Sequence, residues 1–193
     1  MRHPFRSLLA ILALAALPAL AQDTYKIDPV HSEISFKIRH MLAKTSGRFT
    51  RFSGVVKVDP ADIGKSSVEV TIEAASINTD NEARDKHLRS ADFFDVEKFP
   101  TLTFKSTSVK EVAKGKLEVT GDFTLHGVTK RITFPITNAG TQPGMQPGTV
   151  VAGFVDGALT LNRNDYGIKT FPGVLGDDVA ISLNVEADKV ASK

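Results

Sequence analysis

The sequence predicts an all-β protein of about eight strands in one domain, interrupted by a short helical insertion at about 79–95. Three observations carry this. Apolar and polar residues alternate with a period of two through most of the chain, the mark of strands with one buried face. The alternating runs are separated by segments rich in Gly, Pro, Asn and Asp, which supply turns. One stretch, residues 76–100, has neither pattern. In it Thr79 and Glu82 stand at capping-box spacing, so a helix is expected to start there. It ends in Phe93 and Phe94, two rings that a short helix cannot bury alone.

At the N-terminus, Arg2 and Arg6 precede an apolar run over residues 7–17, shorter than the roughly 20 residues that cross a bilayer. Ala19, Leu20 and Ala21 then supply a small-x-small cleavage site. Residues 1–21 are expected to be a cleaved signal peptide and 22–193 a mature, exported, soluble domain. The short run and Pro18 argue against an uncleaved anchor. About 170 residues suffice for one domain and are too few for two comfortable ones.

In the mature part, Ile34, Phe36, Ile38 and His40 form one strand face. Residues 49–58 alternate less regularly, and Gly54 suggests a bulge or bend there. Val68, Val70, Ile72 and Ala74 form the next face, then Leu102 and Phe104. The cleanest alternation follows, with Leu117, Val119, Gly121, Phe123 and Leu125 on one side. Ile132, Phe134 and Ile136, a long strand over 151–161, and a last one with Val179, Ile181, Leu183 and Val185 complete the set. Residues 138–148, with a repeated Gln-Pro-Gly, read as an exposed hairpin tip. Residues 162–178 exceed what a hairpin needs, as functional loops often do, and are placed near the mouth of the closed sheet. A one-sided sheet of this length must close into a sandwich or a barrel, and periodicity does not choose between them.

Composition excludes several functions. The chain has 24 Lys+Arg against 22 Asp+Glu, and loss of Arg2 and Arg6 with the leader balances the two signs. With no cationic excess and no Trp, nucleic acid is a poor partner. No Cys is present, so neither a disulfide nor a lipoprotein anchor can form. Of the aromatic residues twelve are Phe and two are Tyr. Phe brings apolar surface without a polar handle, which suits either a packed core or a hydrocarbon guest. Of the histidines His31, His40, His87 and His126 remain after the leader, and no two stand at metal-ligand spacing, so no metal site is expected. Catalytic groupings from Asp28, His31 and Ser32, or from Asp85 and His87, lack a nucleophile elbow and a convincing base, so no catalytic residue is assigned. On the helical segment Lys86 and Arg89 are expected to be solvated.

Three stretches carry a resemblance: residues 28–40 (Asp28-Pro29-Val30-His31-Ser32 and the strand after it), residues 76–100 with Arg84-Asp85-Lys86-His87-Leu88, and Leu125-His126-Gly127-Val128-Thr129. In these the chain resembles the YceI-like family of bacterial periplasmic polyisoprenoid-binding proteins, over the whole mature length. The resemblance implies a lipocalin-like barrel of eight antiparallel strands, although a chain without Trp lacks the Gly-x-Trp signature of true lipocalins. It implies periplasmic binding or carriage of a long isoprenoid chain, a quinone tail or a polyprenyl phosphate, in an apolar pore, without catalysis or cofactor. Pore-lining residues are then expected to be Phe36, Ile38, Val70, Ile72, Leu88, Phe93, Phe94, Phe104, Phe123, Leu125, Phe134 and Phe154. His40, Arg84 and His87 are expected near the lipid head group, with the alternative for Arg84 that it pairs with an acidic residue and holds the helix on the barrel. The expected partners are the lipid, a transient contact with a membrane or a membrane cytochrome, and a second copy of the chain. The alternatives are a redox accessory or enzyme acting on quinone beside a membrane cytochrome, and a structural or stress protein with a filled core.

Overall fold

A computed structural model describes residues 22–191, so the expected leader at 1–21 lies outside the described residues. Eleven strands form one antiparallel sheet: β1 Asp23–Ile27, β2 Glu33–His40, β3 Ala43–Phe49, β4 Phe52–Val58, β5 Ser67–Glu73, β6 Ile77–Asn78, β7 Thr101–Ala113, β8 Lys116–Leu125, β9 Val128–Pro143, β10 Val150–Asn162 and β11 Leu175–Lys189. The ring β1-β4-β5-β7-β8-β9-β10-β11 closes through pairing of Tyr25, Lys26 and Ile27 with Lys189, Asp188 and Ala187. The fold is thus a closed barrel of eight antiparallel strands, as the resemblance implied.

The remaining strands prolong the barrel at one end. β11 pairs with β1 through its last residues and with β2 from Leu175 to Asn184, so one strand serves two neighbours. β1 and β2 are one strand broken at residues 28–32. There the Asp28 carboxylate accepts from the Val30 amide and His31 Nδ1, and the Ser32 hydroxyl bonds both the carbonyl and the amide of Glu186. Likewise β3 runs into β4 across Thr50 and Arg51, where the Thr50 amide donates to the Ser76 carbonyl. The irregularity expected at Gly54 is therefore displaced to Thr50–Arg51. Gly54 itself sits in regular register opposite Val70 and is required for closeness, because a Cβ there would lie 2.6 Å from the Glu69 carbonyl oxygen. Among the described residues no strand joins β6 to β7, and residues 79–100 connect the two.

That insertion contains helix α1, Glu82–Arg89. Its N-cap is Asn81, whose side chain accepts from the Arg84 amide, and not Thr79. Thr79 is drawn inward instead, with its amide and hydroxyl both donating to the buried Asp85 carboxylate. Arg89 is not simply solvated as expected. Its guanidinium donates to the carbonyls of Ala75 and Ile77 and fastens the end of α1 to the β5–β6 connection. The β9 strand also continues to Pro143, paired with Val150, so the hairpin tip shrinks to the residues between Pro143 and Val150.

Alternate residues of β8, from Leu117 to Leu125, are buried, and with Phe104, Phe134, Phe154 and Ile72 they form the inner wall. Gly121 lies on this wall because the Phe104 ring rests on its backbone, where a Cβ would collide with the ring.

Candidate functional site

The inward side chains do not meet in the middle. They leave two adjoining chambers, which share Phe36, Phe49, Leu102, Phe123, Leu161 and Ile181 as a common waist. The inner chamber, about 170 Å³, is lined by 28 residues of which only Ser66 and Ser67 are polar. None of its lining residues is exposed. The second chamber, about 380 Å³, lies between the insertion and residues 163–175 and reaches solvent through exposed His40, Arg84, His87, Phe171 and Val174. We call it the mouth chamber.

Each residue expected to line a pore faces one of these spaces. Val70, Ile72, Phe104, Phe134 and Phe154 line the inner chamber, and Phe36 and Phe123 the waist. Ile38, Leu88, Phe93, Phe94 and Leu125 line the mouth chamber, as do His40, Arg84 and His87. The period of two explains the inner set, since inward residues of adjacent strands fall in register, Val70 opposite Phe104 and Phe104 opposite Phe123. The mouth set joins strand residues Ile38, His40 and Leu125 to side chains carried by the insertion. Leu88 is carried on α1 and Phe93 and Phe94 on the turn after it, held by the Phe94 amide donating to the Leu88 carbonyl. Phe94 stacks edge-on against Phe49 and Phe93 against His87.

The polar groups of the mouth divide into fixed and free. Arg84 donates through Nε to the Thr79 hydroxyl and through Nη2 to the Thr79 carbonyl, each at 2.7 Å. With Asp85 below, this makes a chain Asp85–Thr79–Arg84 that fixes the guanidinium at the rim, and no carboxylate among the described residues pairs with it. His87 Nε2 lies 3.1 Å from the Asp92 carboxylate. By contrast Arg163, buried at 4 % exposure, is consumed by structure. It donates to the carbonyls of Gly176, Ile168 and Thr170 and pairs with Asp177, so it pins the loop that forms the far wall of the mouth. Tyr166 lies beside it, stacked edge-on against Phe123, and burial raises its pKa. Arg163, Tyr166 and Phe171 were not among the expected site residues, although the length of the loop that carries them had placed that loop near the mouth.

The four histidines are not brought together. His31 closes the β1–β2 bend on Asp28, 2.6 Å away, and Glu186 stands at 4.0 Å. Among the described residues this trio is the one group with the spacing to hold a cation. Asp28 and His31 hold each other, the carboxylate lowered by bonds from the His31 ring and the Val30 amide and the imidazole raised by Asp28. His126 turns its Nδ1 to the Tyr166 carbonyl and packs on Phe99. Neither catalytic grouping is assembled. The Ser32 hydroxyl donates to the Glu186 carbonyl, and the Asp85 carboxylate receives Thr79 while His87 faces Asp92.

Comparison with known proteins agrees with this architecture. A UPF0312 protein of Vibrio cholerae is 38% identical over 185 residues, covering 93% of this chain and 94% of that one. The crystal structure of Burkholderia cenocepacia BcnA matches with a TM-score of 0.75 at 29% identity, covering 83% of this chain and 98% of BcnA. A polyisoprenoid binding domain from Saccharophagus degradans, 16% identical and covering 86% and 98%, shares the fold with a TM-score of 0.62. The family model of the YceI-like domain matches residues 25–187, and the chain belongs to that family.

Proposed function

We propose that this protein binds and carries a long-chain isoprenoid lipid in the periplasm, with the far end of the chain in the inner chamber and the rest of the chain leading through the mouth chamber to a head group at the rim, and does not transform it. The inner chamber is the observation that carries the reading. An apolar space of this size stays dry, and leaving about 170 Å³ unfilled by side chains forfeits packing worth about 4 kcal/mol. A hydrocarbon guest restores those contacts and adds roughly 0.8 kcal/mol per buried methylene. The two chambers differ as the two ends of such a lipid differ, one nearly all hydrocarbon, the other bearing Arg84, His40, His87 and Thr45. The binding named for the Saccharophagus degradans domain is consistent with the same use of this fold, and the leader-like residues 1–21 with export.

The test is native mass spectrometry of protein recovered from the periplasm, followed by organic extraction. A prenyl lipid leaving with the protein supports the reading. A protein that emerges alone and refuses added prenyl lipids refutes it. Within the reading, Arg84→Ala is expected to weaken a phosphate- or quinone-bearing lipid more than a bare hydrocarbon in a competition titration, and equal losses would remove Arg84 from the head-group role.

A further inference from the structure

Two bulky apolar residues occupy backbone conformations that only glycine adopts freely, and both lie at the mouth. The β2–β3 turn is a two-residue connection between His40 and Ala43, and Met41, its first residue, has φ +50°. That position of a tight hairpin is ordinarily given to Gly, Asn or Asp. Phe171 has φ +55°. Both side chains reach the surface: Met41 is 60% exposed, Phe171, which also packs edge-on against His87, 47%, and next to Met41 stands Leu42, fully exposed. The two loops are one structure, because the Met41 amide donates to the Val174 carbonyl and the Phe171 carbonyl receives the Leu175 amide. Strain held in place to present large apolar side chains at one rim is a mark of use.

The hairpin that carries Met41 and Leu42 is cationic. Between Glu33 and Phe49 stand Lys37, Arg39, Lys44 and Arg48, against Glu33 alone, at the end away from the turn. Arg39 and Lys44 lie directly opposite each other in register, a like-charge pair that destabilises a hairpin unless an anion covers it. Arg48 pairs with Asp80; Lys37, Arg39 and Lys44 have no carboxylate partner among the described residues. Of the acids on the facing loop and insertion, Asp177 pairs with Arg163 and Asp165 with Lys130, while Asp92 faces His87 and Asp178 accepts from Asn162.

We infer that the rim of Met41, Leu42, Phe171 and Val174 docks on an anionic phospholipid bilayer, so that the mouth chamber opens directly against the lipid from which its guest is drawn. Apolar side chains enter the boundary of the acyl region while the hairpin cations meet lipid phosphates. That purpose rests on the lipid-carrier reading, but the docking is measured without it.

The experiment is co-flotation of the mature protein with vesicles of phosphatidylethanolamine and phosphatidylglycerol, and with vesicles of phosphatidylcholine alone. The protein is expected to float with the anionic vesicles and to be released by salt. Met41→Gly with Leu42→Ser should lower vesicle binding by about tenfold or more, and Arg39→Gln with Lys44→Gln by about thirtyfold. Met41→Gly alone should hold or raise the melting temperature, since glycine relieves the turn, so lost binding cannot be ascribed to unfolding. Val112→Ser with Met145→Ser alters exposed apolar residues beyond the inner chamber, at the opposite end of the barrel, and should leave flotation unchanged. Absence of flotation, indifference to lipid charge, or an equal loss in the Val112 and Met145 variant overturns the inference; capture of a soluble protein by the rim in place of vesicles does so too. The vesicles contain no isoprenoid. Failure of the carrier reading therefore appears as flotation without an extractable prenyl lipid, and failure of docking as an extractable lipid on a protein that ignores vesicles.

Discussion

The inner and mouth chambers share a waist, yet they are built on opposite principles. The inner one is made of strand residues in register, and repetition alone gives it an apolar lining. The mouth adds to strand residues such as Ile38, Leu125 and Val179 two irregular stretches, the insertion and residues 163–175, and irregular backbone needs its polar groups satisfied one by one. Buried Arg163 and Asp85, with half-buried Arg89, meet that need through bonds to carbonyls, amides and a hydroxyl. The difference teaches where selectivity resides: a wall of hydrocarbon distinguishes guests by length and girth, whereas a rim of fixed and free cations distinguishes them by head group.

The largest expected effect tests whether the inner wall is packed as well as hollow. Phe104→Ala should destabilise the fold by about 3 kcal/mol, the low end for a buried phenylalanine because one side of the ring already faces open space. Urea unfolding checks it, and a loss below about 1 kcal/mol would mean that the wall is not under packing control. Next, Val70→Trp fills the inner chamber from β5. It should cost about 1–3 kcal/mol in overpacking and sharply reduce retention of long prenyl chains in extraction assays, while short head-group analogues still bind at the mouth. Parallel loss of both would dissolve the distinction between the chambers.

At the mouth, Asp85→Ala leaves the buried Thr79 amide and hydroxyl without their acceptor, a loss of about 1–3 kcal/mol. It should also loosen Arg84, read as faster hydrogen exchange through α1 with no change on β8. The smallest effect lies outside both chambers, at the β1–β2 bend. Asp28, with a pKa below its ordinary 3.8, supports the fold above that value and loses the support as pH falls through its lowered pKa. His31, raised above 6.5, supports it below that value and loses the support as pH rises through its raised pKa. The melting-temperature gap between the wild type and His31→Asn should therefore be widest near pH 5 and close on either side. A gap that stays constant with pH would deny the pair any part in the bend.

How far the sequence could be read follows the same division. Val70, Ile72, Phe104 and Phe134 were legible because an alternating strand in a one-sided sheet leaves no choice of face. Strand β3 was not, because Ala43–Phe49 carries almost no apolar residues to alternate. The helix was legible but its cap was not. Thr79 and Glu82 have capping-box spacing, while the nearby Asp85, buried one turn into α1, competes for Thr79 and leaves the cap to Asn81. Arg163 was beyond reading, since its three carbonyl acceptors lie 5 to 13 residues away on a loop with no pattern of its own.

The double duty of β11 bears on how the molecule is made. The same strand holds β10 on one edge and both β1 and β2 on the other, and it follows all of them in chain order. Until it arrives, the first and tenth strands offer bare edges to any neighbouring polypeptide, the situation that leads to intermolecular pairing. A nascent or truncated form without the C-terminal strand should thus depend on chaperones, and the slow step of maturation should be the zipping of the final segment against the first.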